Sequence, residues 1–212
     1  MFNDSSMTPE KDFYFTIEMP FRAPEVKVKS SKFIADIFQA ASKNEIDEHL
    51  SRIRKEFYDA THHCYAYRLG TLGEQSRAAD DGEPSGTAGK PILLALSSKE
   101  LTNCLIIVTR YYGGTNLGTG GLAQAYSEAA LLAINGAKIK TVYLTDTFDL
   151  LLGYEDVAPL ERLLLQYEAD HKAEYGEKVK AKIKIRRSLS EKFQIEITEK
   201  FYGGRVTIKK DS

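Results

Sequence analysis

Tryptophan is absent from this 212-residue chain, cysteine occurs only twice, and net charge is almost missing, with 29 Lys and Arg set against 30 Asp and Glu. Each shortage excludes something. Two cysteines, Cys64 and Cys104, cannot build a disulfide framework, and Cys104 lies in the apolar run from Leu101 to Val108, which predicts a buried strand thiol. A formal charge of −1 leaves no global basic field, so any nucleic-acid partner has to be met by a local patch. No stretch reaches the roughly 18 apolar residues that span a bilayer. Residues Met1 to Met7 lack the basic-then-apolar pattern of a leader. No internal repeat or low-complexity tract occurs. A cytoplasmic protein without membrane contact is expected. What is present is ordinary for a globular chain: 42% hydrophobic and 28% charged residues exclude disorder, and the length suits one or two domains.

Periodicity supplies the elements. Phe13–Ile17, Glu25–Lys29 and Phe33–Gln39 read as strands. Ile46, Leu50, Ile53 and Phe57 fall at helical spacing behind Asn44, the expected N-cap. In the strand Cys64–Leu69, alternation puts Cys64 and Ala66 on one face and Tyr65 and Tyr67 on the other. A polar loop is expected over Gly70–Gly82. Pro91 belongs in a first helical turn, which starts a helix near Thr87–Ala88 and runs it to about Ser97. Leu105–Tyr111 is a continuous apolar run, the mark of a buried central strand. A helix over Leu122–Ile134 follows a glycine-rich loop, with Gly136 as its C-cap. The second half reads as strand Thr141–Leu150, helix Asp156–Tyr167, strands Ala169–Tyr175 and Val179–Arg186, a helix opened by the capping box Ser188-Leu-Ser-Glu191 and ended by Gly203-Gly204, and a closing strand at Val206 and Ile208. That β-α-β-β-α-β order is the ferredoxin-like split motif.

Four constellations carry chemistry. In the glycine loop, Gly113, Gly114, Gly118, Gly120 and Gly121 fall within nine residues, between a buried strand and a helix. Backbone N–H groups at that helix N-terminus suit a phosphate or carboxylate, with Arg110 or Thr119 as further donors; tight helix–strand packing explains the glycines equally well. Neither the P-loop nor the dinucleotide spacing is present. In the acidic loop, Asp80, Asp81 and Glu83 are of the type that holds Mg²⁺, and Ser85 and Thr87 precede a helix start that suits a second anion; a capped turn is the plainer account. Third, His62 and His63 precede Cys64, with Arg68 further along the strand. Four zinc ligands at a recognisable spacing are lacking, and of the two histidines only His62 shares a face with Cys64. These residues are expected at the mouth of a cleft. Fourth, Lys178, Lys180, Lys182, Lys184 and Arg186 alternate with apolar residues, which places five cations on one strand face. On the helix-free side of a ferredoxin-like sheet that stripe suits RNA, with Tyr143 expected on the same face to stack on a base. The same stripe also serves simply to discourage strand-edge pairing.

Three of these segments, in this order, resemble the IMPACT family: His62-His63-Cys64-Tyr65-Ala66-Tyr67, Asp80-Asp81-Gly82-Glu83-Pro84-Ser85-Gly86-Thr87-Ala88-Gly89-Lys90-Pro91, and Arg110-Tyr111-Tyr112-Gly113-Gly114 with Leu117-Gly118-Thr119-Gly120-Gly121-Leu122 and Ala125-Tyr126. The resemblance covers roughly residues 10–138. The rest is similar in plan to the small C-terminal domain of the bacterial YigZ-like members. The resemblance implies an α+β chain. Residues 1–138 would take the fold of ribosomal protein S5 domain 2, and residues 139–212 would form a ferredoxin-like domain like that of elongation factor G. It implies work on ribosomes or structured RNA. Eukaryotic members regulate translation by blocking a starvation-sensing kinase through an additional N-terminal domain, so that partner is not carried over. Family members often carry Lys or Arg where this chain has Gln124, and frequently Lys where it has Asn116, which removes two cations beside the glycine loop.

The expectation is therefore a translation-associated regulator that binds RNA, the ribosome or another phosphate-bearing ligand. Two alternatives stay open. One is a metal-assisted enzyme, with Mg²⁺ as its possible cofactor, acting on a phosphorylated small molecule. The other is a regulator that binds a protein. Fold alone does not choose among them.

Overall fold

The computed structural model describes residues 11–201 and 206–210. In chain order the strands are β1 (Phe13–Ile17), β2 (Phe21–Arg22), β3 (Val26–Val28), β4 (Ser31–Gln39), β5 (His62–Leu69), β6 (Gln75–Ala79), β7 (Cys104–Tyr111), β8 (Ile139–Tyr143), β9 (Thr145–Leu152), β10 (Asp170–Tyr175), β11 (Val179–Arg186) and β12 (Thr207–Lys210). The helices are α1 (Lys43–Glu56), α2 (Gly89–Ser98), α3 (Gly118–Gly136), α4 (Val157–Gln166) and α5 (Ser190–Lys200).

The chain forms two compact units. The larger spans Tyr14–Val142. Its sheet runs β2-β4-β7-β5-β6, with β3 also paired to β4 and every ladder antiparallel. Both faces of this sheet are covered. Phe33, Ala35 and Ile37 of β4, Cys64 and Ala66 of β5, and Ile106 and Val108 of β7 pack against α2 and α3. The alternate residues Phe38, Tyr65, Tyr67, Leu105 and Ile107 pack under Ile46, Leu50 and Ile53 of α1. Burial on both faces is why β7 is apolar at nearly every position. A separate two-stranded ribbon pairs β1 with β8. This is the expected fold of ribosomal protein S5 domain 2.

Helix α1 begins two residues earlier than the spacing suggested, because Ser42 rather than Asn44 caps it: the Ser42 hydroxyl accepts from Glu45 N, while Glu45 reaches back to Ala41 N. That is a capping box shifted by one residue, since the N–H answered by Glu45 belongs to the residue before the cap. Strand β6 emerges from the expected polar loop. All but its last residue are exposed, so no alternation marked it.

Among the described residues, the second unit takes in 11–13, 143–201 and 206–210. Its sheet runs β10-β11-β9-β12, all antiparallel, with α4 and α5 inserted after β9 and β11. Phe148, Leu150 and Leu152 of β9 and Val179, Ala181, Ile183 and Ile185 of β11 pack against Leu160, Leu163 and Leu164 of α4 and Phe193 and Ile197 of α5. This is the ferredoxin-like order.

Two readings are corrected. The single strand over Thr141–Leu150 is two strands, broken at Leu144. Leu144 N bonds to Asp12 O while its carbonyl accepts from Arg187 N, so that residue turns out of both ladders. The capping box at Ser188 does not form. Ser188 lies in a short 3₁₀ turn, and its backbone N–H and hydroxyl both donate to Asp12 Oδ2. The expected stop at Gly203-Gly204 lies outside the described residues.

Candidate functional site

Strand β6 ends at the acidic loop, and the loop's carboxylates turn inward onto the protein itself. Asp80 Oδ1 accepts from Ala88 N (3.0 Å) and Gly89 N (2.8 Å), and Oδ2 accepts from Gly86 N (2.8 Å). The chain can return this closely because Gly82 and Gly86 take φ of +91° and +74°. Gly89 is needed on packing grounds: a Cβ there would lie 2.5 Å from Ala79 N. Burial would raise the Asp80 carboxyl, but the three N–H bonds outweigh it and hold the group below its ordinary value. Asp81 accepts from His63 N at 2.7 Å and pairs with Arg54 at 3.4 Å. Thr87 donates its hydroxyl to Pro84 O and is buried, while Ser85 stays exposed. Among the described residues no group of three His, Cys, Asp or Glu side chains is placed to hold a metal ion.

Glu83 is the centre of a buried polar network. One of its oxygens, Oε1, accepts from Arg110 Nη1 at 2.5 Å and from the Tyr126 hydroxyl at 2.7 Å. The Glu83 and Arg110 side chains are only 3% and 5% exposed. Arg110 Nη2 donates to Ser31 Oγ, which also accepts from Gly113 N. Through Ser31, the acidic loop, β4, β7 and the start of the glycine loop are fastened together. The Arg110 guanidinium lies 5.4 Å from the Phe33 ring centre and 5.3 Å from that of Tyr112. His62 stands at the margin, its Nδ1 2.8 Å from Asp81 O and its Nε2 3.8 Å from Glu83 Oε1.

Cys64 lies beneath this network, with its sulfur 2.9 Å from Asp80 O and 3.2 Å from the Tyr126 hydroxyl. Burial pushes its thiol up to about 12, so the thiolate a nucleophile needs is not formed near neutrality. Burial, and then the neighbouring Cys64 and Glu83, also raise the Tyr126 hydroxyl.

The other two residues expected at the cleft mouth are elsewhere. His63 faces α1, where Nε2 bonds to Phe57 O, and burial lowers its pKa. Arg68 lies toward the far end of β5, donating to Leu101 O and Leu72 O. Strand alternation separates His63 from His62, and six residues of extended chain separate Arg68 from it by about 20 Å.

The glycine loop divides by role. A Cβ on Gly113 would meet the Ser30 backbone at 2.0 Å, so this glycine serves close packing. Gly114 and Gly118 need positive φ, at +81° and +72°. Gly118 opens α3, whose first turn has no side-chain cap, and its own N–H is taken by Asn116 Oδ1. Thr119 and Gly120 are exposed and Gly121 half-buried. The sequence put the start of this helix too late, because glycines are poor helix formers.

On the second unit's helix-free face, Lys180, Lys182 and Lys184 of β11 are exposed, and Arg186 is half-buried at the end of the row. Lys178 precedes them. Lys172 of the neighbouring β10 stands opposite Lys182, and Lys209 of β12, across β9, stands opposite Asp149. Acids interrupt the stripe: Glu174 stands opposite Lys180, Asp170 opposite Lys184, and Asp149 pairs with Lys182 at 3.6 Å. A shallow depression of about 430 Å³ crosses the middle of this face, with Leu151 at its floor among Lys172, Lys180 and Lys182. Tyr143 belongs to β8 rather than to the sheet, yet it meets the stripe, because the Arg186 guanidinium stacks 3.7 Å from its ring centre. Arg186 also pairs with Glu168. Among the described residues no helix is long and apolar enough to cross a membrane.

Residues 29–134 match the family model of the Impact N-terminal domain. An IMPACT family member of Haemophilus influenzae is 33% identical over 191 residues, 87% of this chain and 91% of that protein. The IMPACT family member YvyE of Bacillus subtilis is 38% identical over 122 residues, and the match spans 58% of this chain and 56% of the relative. A crystal structure of a hypothetical protein superposes with a TM-score of 0.65 at 26% identity, covering 94% of this chain and 97% of that one.

Proposed function

The chain belongs to the IMPACT family, and from that premise we propose that it is a translation-associated regulator that engages ribosomal or other structured RNA through the open sheet face of its second unit. The carrying observation is the cation row itself. Four consecutive outward positions of β11, from Lys180 to Arg186, are basic, Lys172 widens the row onto the neighbouring β10, and Lys209 adds a cation on β12, beyond β9. Among the described residues of this unit no helix covers that side, because both α4 and α5 pack on the other. Arg186 stacked on Tyr143 supplies a flat, charged platform of the kind on which a base rests. Asp149, Asp170 and Glu174 partly offset the row, so the contact is one of modest affinity.

The uncapped first turn of α3 offers a second anion contact in the first unit. Metal-assisted catalysis is the weaker account of the acidic loop. Asp80 already answers three backbone N–H groups, and Glu83 neutralises a buried guanidinium; a metal would have to take those oxygens from partners that hold the fold.

The test is fluorescence anisotropy with a single-stranded RNA across a salt series. If about four cations neutralise phosphates, log K should fall with log salt at a slope of about −3. Lys180→Glu, Lys182→Glu and Lys184→Glu together should abolish binding while the chain stays folded. Binding that survives the triple variant refutes the assignment of this face.

A further inference from the structure

The cation row on the open face of the second unit has different neighbours on its two sides. Successive outward positions of a strand lie about 6.6 Å apart, so Lys180, Lys182, Lys184 and Arg186 form a line of about 20 Å. Toward β10 the line meets acids, with Glu174 opposite Lys180 and Asp170 opposite Lys184. Toward β9 its far end meets hydroxyls. Thr147 stands opposite Lys184 and Thr145 opposite Arg186. Each pair is separated by one strand spacing, about 4.8 Å. Thr145 is exposed and Thr147 half-buried, and neither hydroxyl bonds to another described residue. Both are open to a ligand.

Among the described residues, none of the outward positions of β9, β10, β11 and β12 is aromatic. Tyr143, with Arg186 laid on it, stands at the end of the row and takes a single base. Sheets that bind single strands stack successive bases on rings across the face, and this face offers no such series. A duplex needs none, because its bases already stack on one another. Base pairing also holds its phosphates and riboses in fixed, adjacent rows. In A-form RNA the wide, shallow minor groove displays the 2′-hydroxyls at its edge. A line of cations with open hydroxyls one strand away complements that edge. DNA lacks the 2′-OH and answers the cations alone. Resting on the RNA reading above, we propose that this face is selective for the backbone of duplex RNA. The β11 cations meet the phosphates of one strand, and the Thr145 and Thr147 hydroxyls meet its ribose 2′-OH groups.

The experiment is fluorescence anisotropy of the full chain at one fixed low salt concentration, with three labelled probes of equal phosphate number: a fully paired RNA hairpin, its all-deoxy counterpart and an unstructured oligouridine. The RNA hairpin should bind about tenfold more tightly than the DNA hairpin, the difference two neutral hydrogen bonds make. It should also bind several-fold more tightly than oligouridine, which still meets the cations. Thr145→Val with Thr147→Val keeps the side-chain shape and the strand preference and removes only the hydroxyls. That variant should lose about tenfold on the RNA hairpin and nothing on the DNA hairpin, with its unfolding midpoint unchanged. Oligouridine bound as tightly as the RNA hairpin, DNA bound as tightly as RNA, or a variant that keeps the preference for RNA each overturns this proposal and leaves RNA binding through the lysines intact. No binding of any probe overturns both.

Discussion

Removing the Glu83 carboxylate should destabilise the first unit more than removing Glu83 and Arg110 together. The two side chains are almost wholly buried and 2.5 Å apart. In Glu83→Met the Arg110 guanidinium stays in the core with no counter-charge, a situation that costs about 3–5 kcal/mol. The Tyr126 hydroxyl loses its acceptor as well, about 1 kcal/mol more. The sum is a large share of the roughly 5–15 kcal/mol by which a domain is stable. Glu83→Met with Arg110→Met removes both charges and keeps the volume. Such replacements are often neutral or better, but here Ser31 and Tyr126 are stranded, so a residual cost of about 1–3 kcal/mol is expected. The coupling energy should therefore be about 2 kcal/mol or more. Urea unfolding of the two single variants and the double gives the three free energies, and hydrogen exchange at β7 and α3 amides assigns the transition to this unit. A double variant as unstable as the sum of its singles would refute the reasoning, because the pair would then not be the coupled knot the geometry describes.

Three further outcomes follow from the same interactions. Asp80→Ala should cost about 2 kcal/mol, the upper end for loss of a capping carboxylate, and should expose the Gly86, Ala88 and Gly89 amides to exchange. Because the folded-state pKa of Asp80 is depressed, its stabilisation is present above the unfolded value near 4 and is lost as pH falls through the lower folded value; acid titration of native and variant chains should show the native losing its advantage only in that window. Cys64 and Cys104 are both buried, with thiols raised by burial, so a maleimide at neutral pH should label neither in the folded chain and both in denaturant. Gly113→Ala should destabilise by about 1–3 kcal/mol through collision with the Ser30 backbone, whereas Gly120→Ala, which meets nothing, should be tolerated in unfolding measurements.

Where burial was one-sided or complete, the sequence already showed the architecture. Strand β11 alternates without a fault, and its bounds, Val179–Arg186, coincide with the run of alternating residues. Strand β7 is apolar because helices cover both its faces. What stayed hidden was local. Strand β6 has no inward row to announce it. Ser188 had the spacing of a capping box, but Asp12, 176 positions away, offered its carboxylate first. Among the candidate site residues, Arg110 was legible as a donor near the glycine loop. Its counter-charge was not, because nothing in the spacing says that Glu83 rather than Asp80 or Asp81 reaches Arg110. Tyr126 was visible only as part of the family motif, without a role, and Ser31 was missed: neither a Tyr at a helical core position nor a Ser at a strand start announces a partner until the fold brings them to Glu83 and Arg110. The cations of β11 were fully legible, but the acids that face them on β9 and β10 became visible only with the register.

The most direct test of the central claim is co-sedimentation with ribosomes over a salt series, comparing the native chain with the Lys180→Glu, Lys182→Glu, Lys184→Glu variant. The account predicts association at low salt that weakens steeply as salt rises and is lost in the variant. Failure of the folded native chain to co-sediment even at low salt would contradict it.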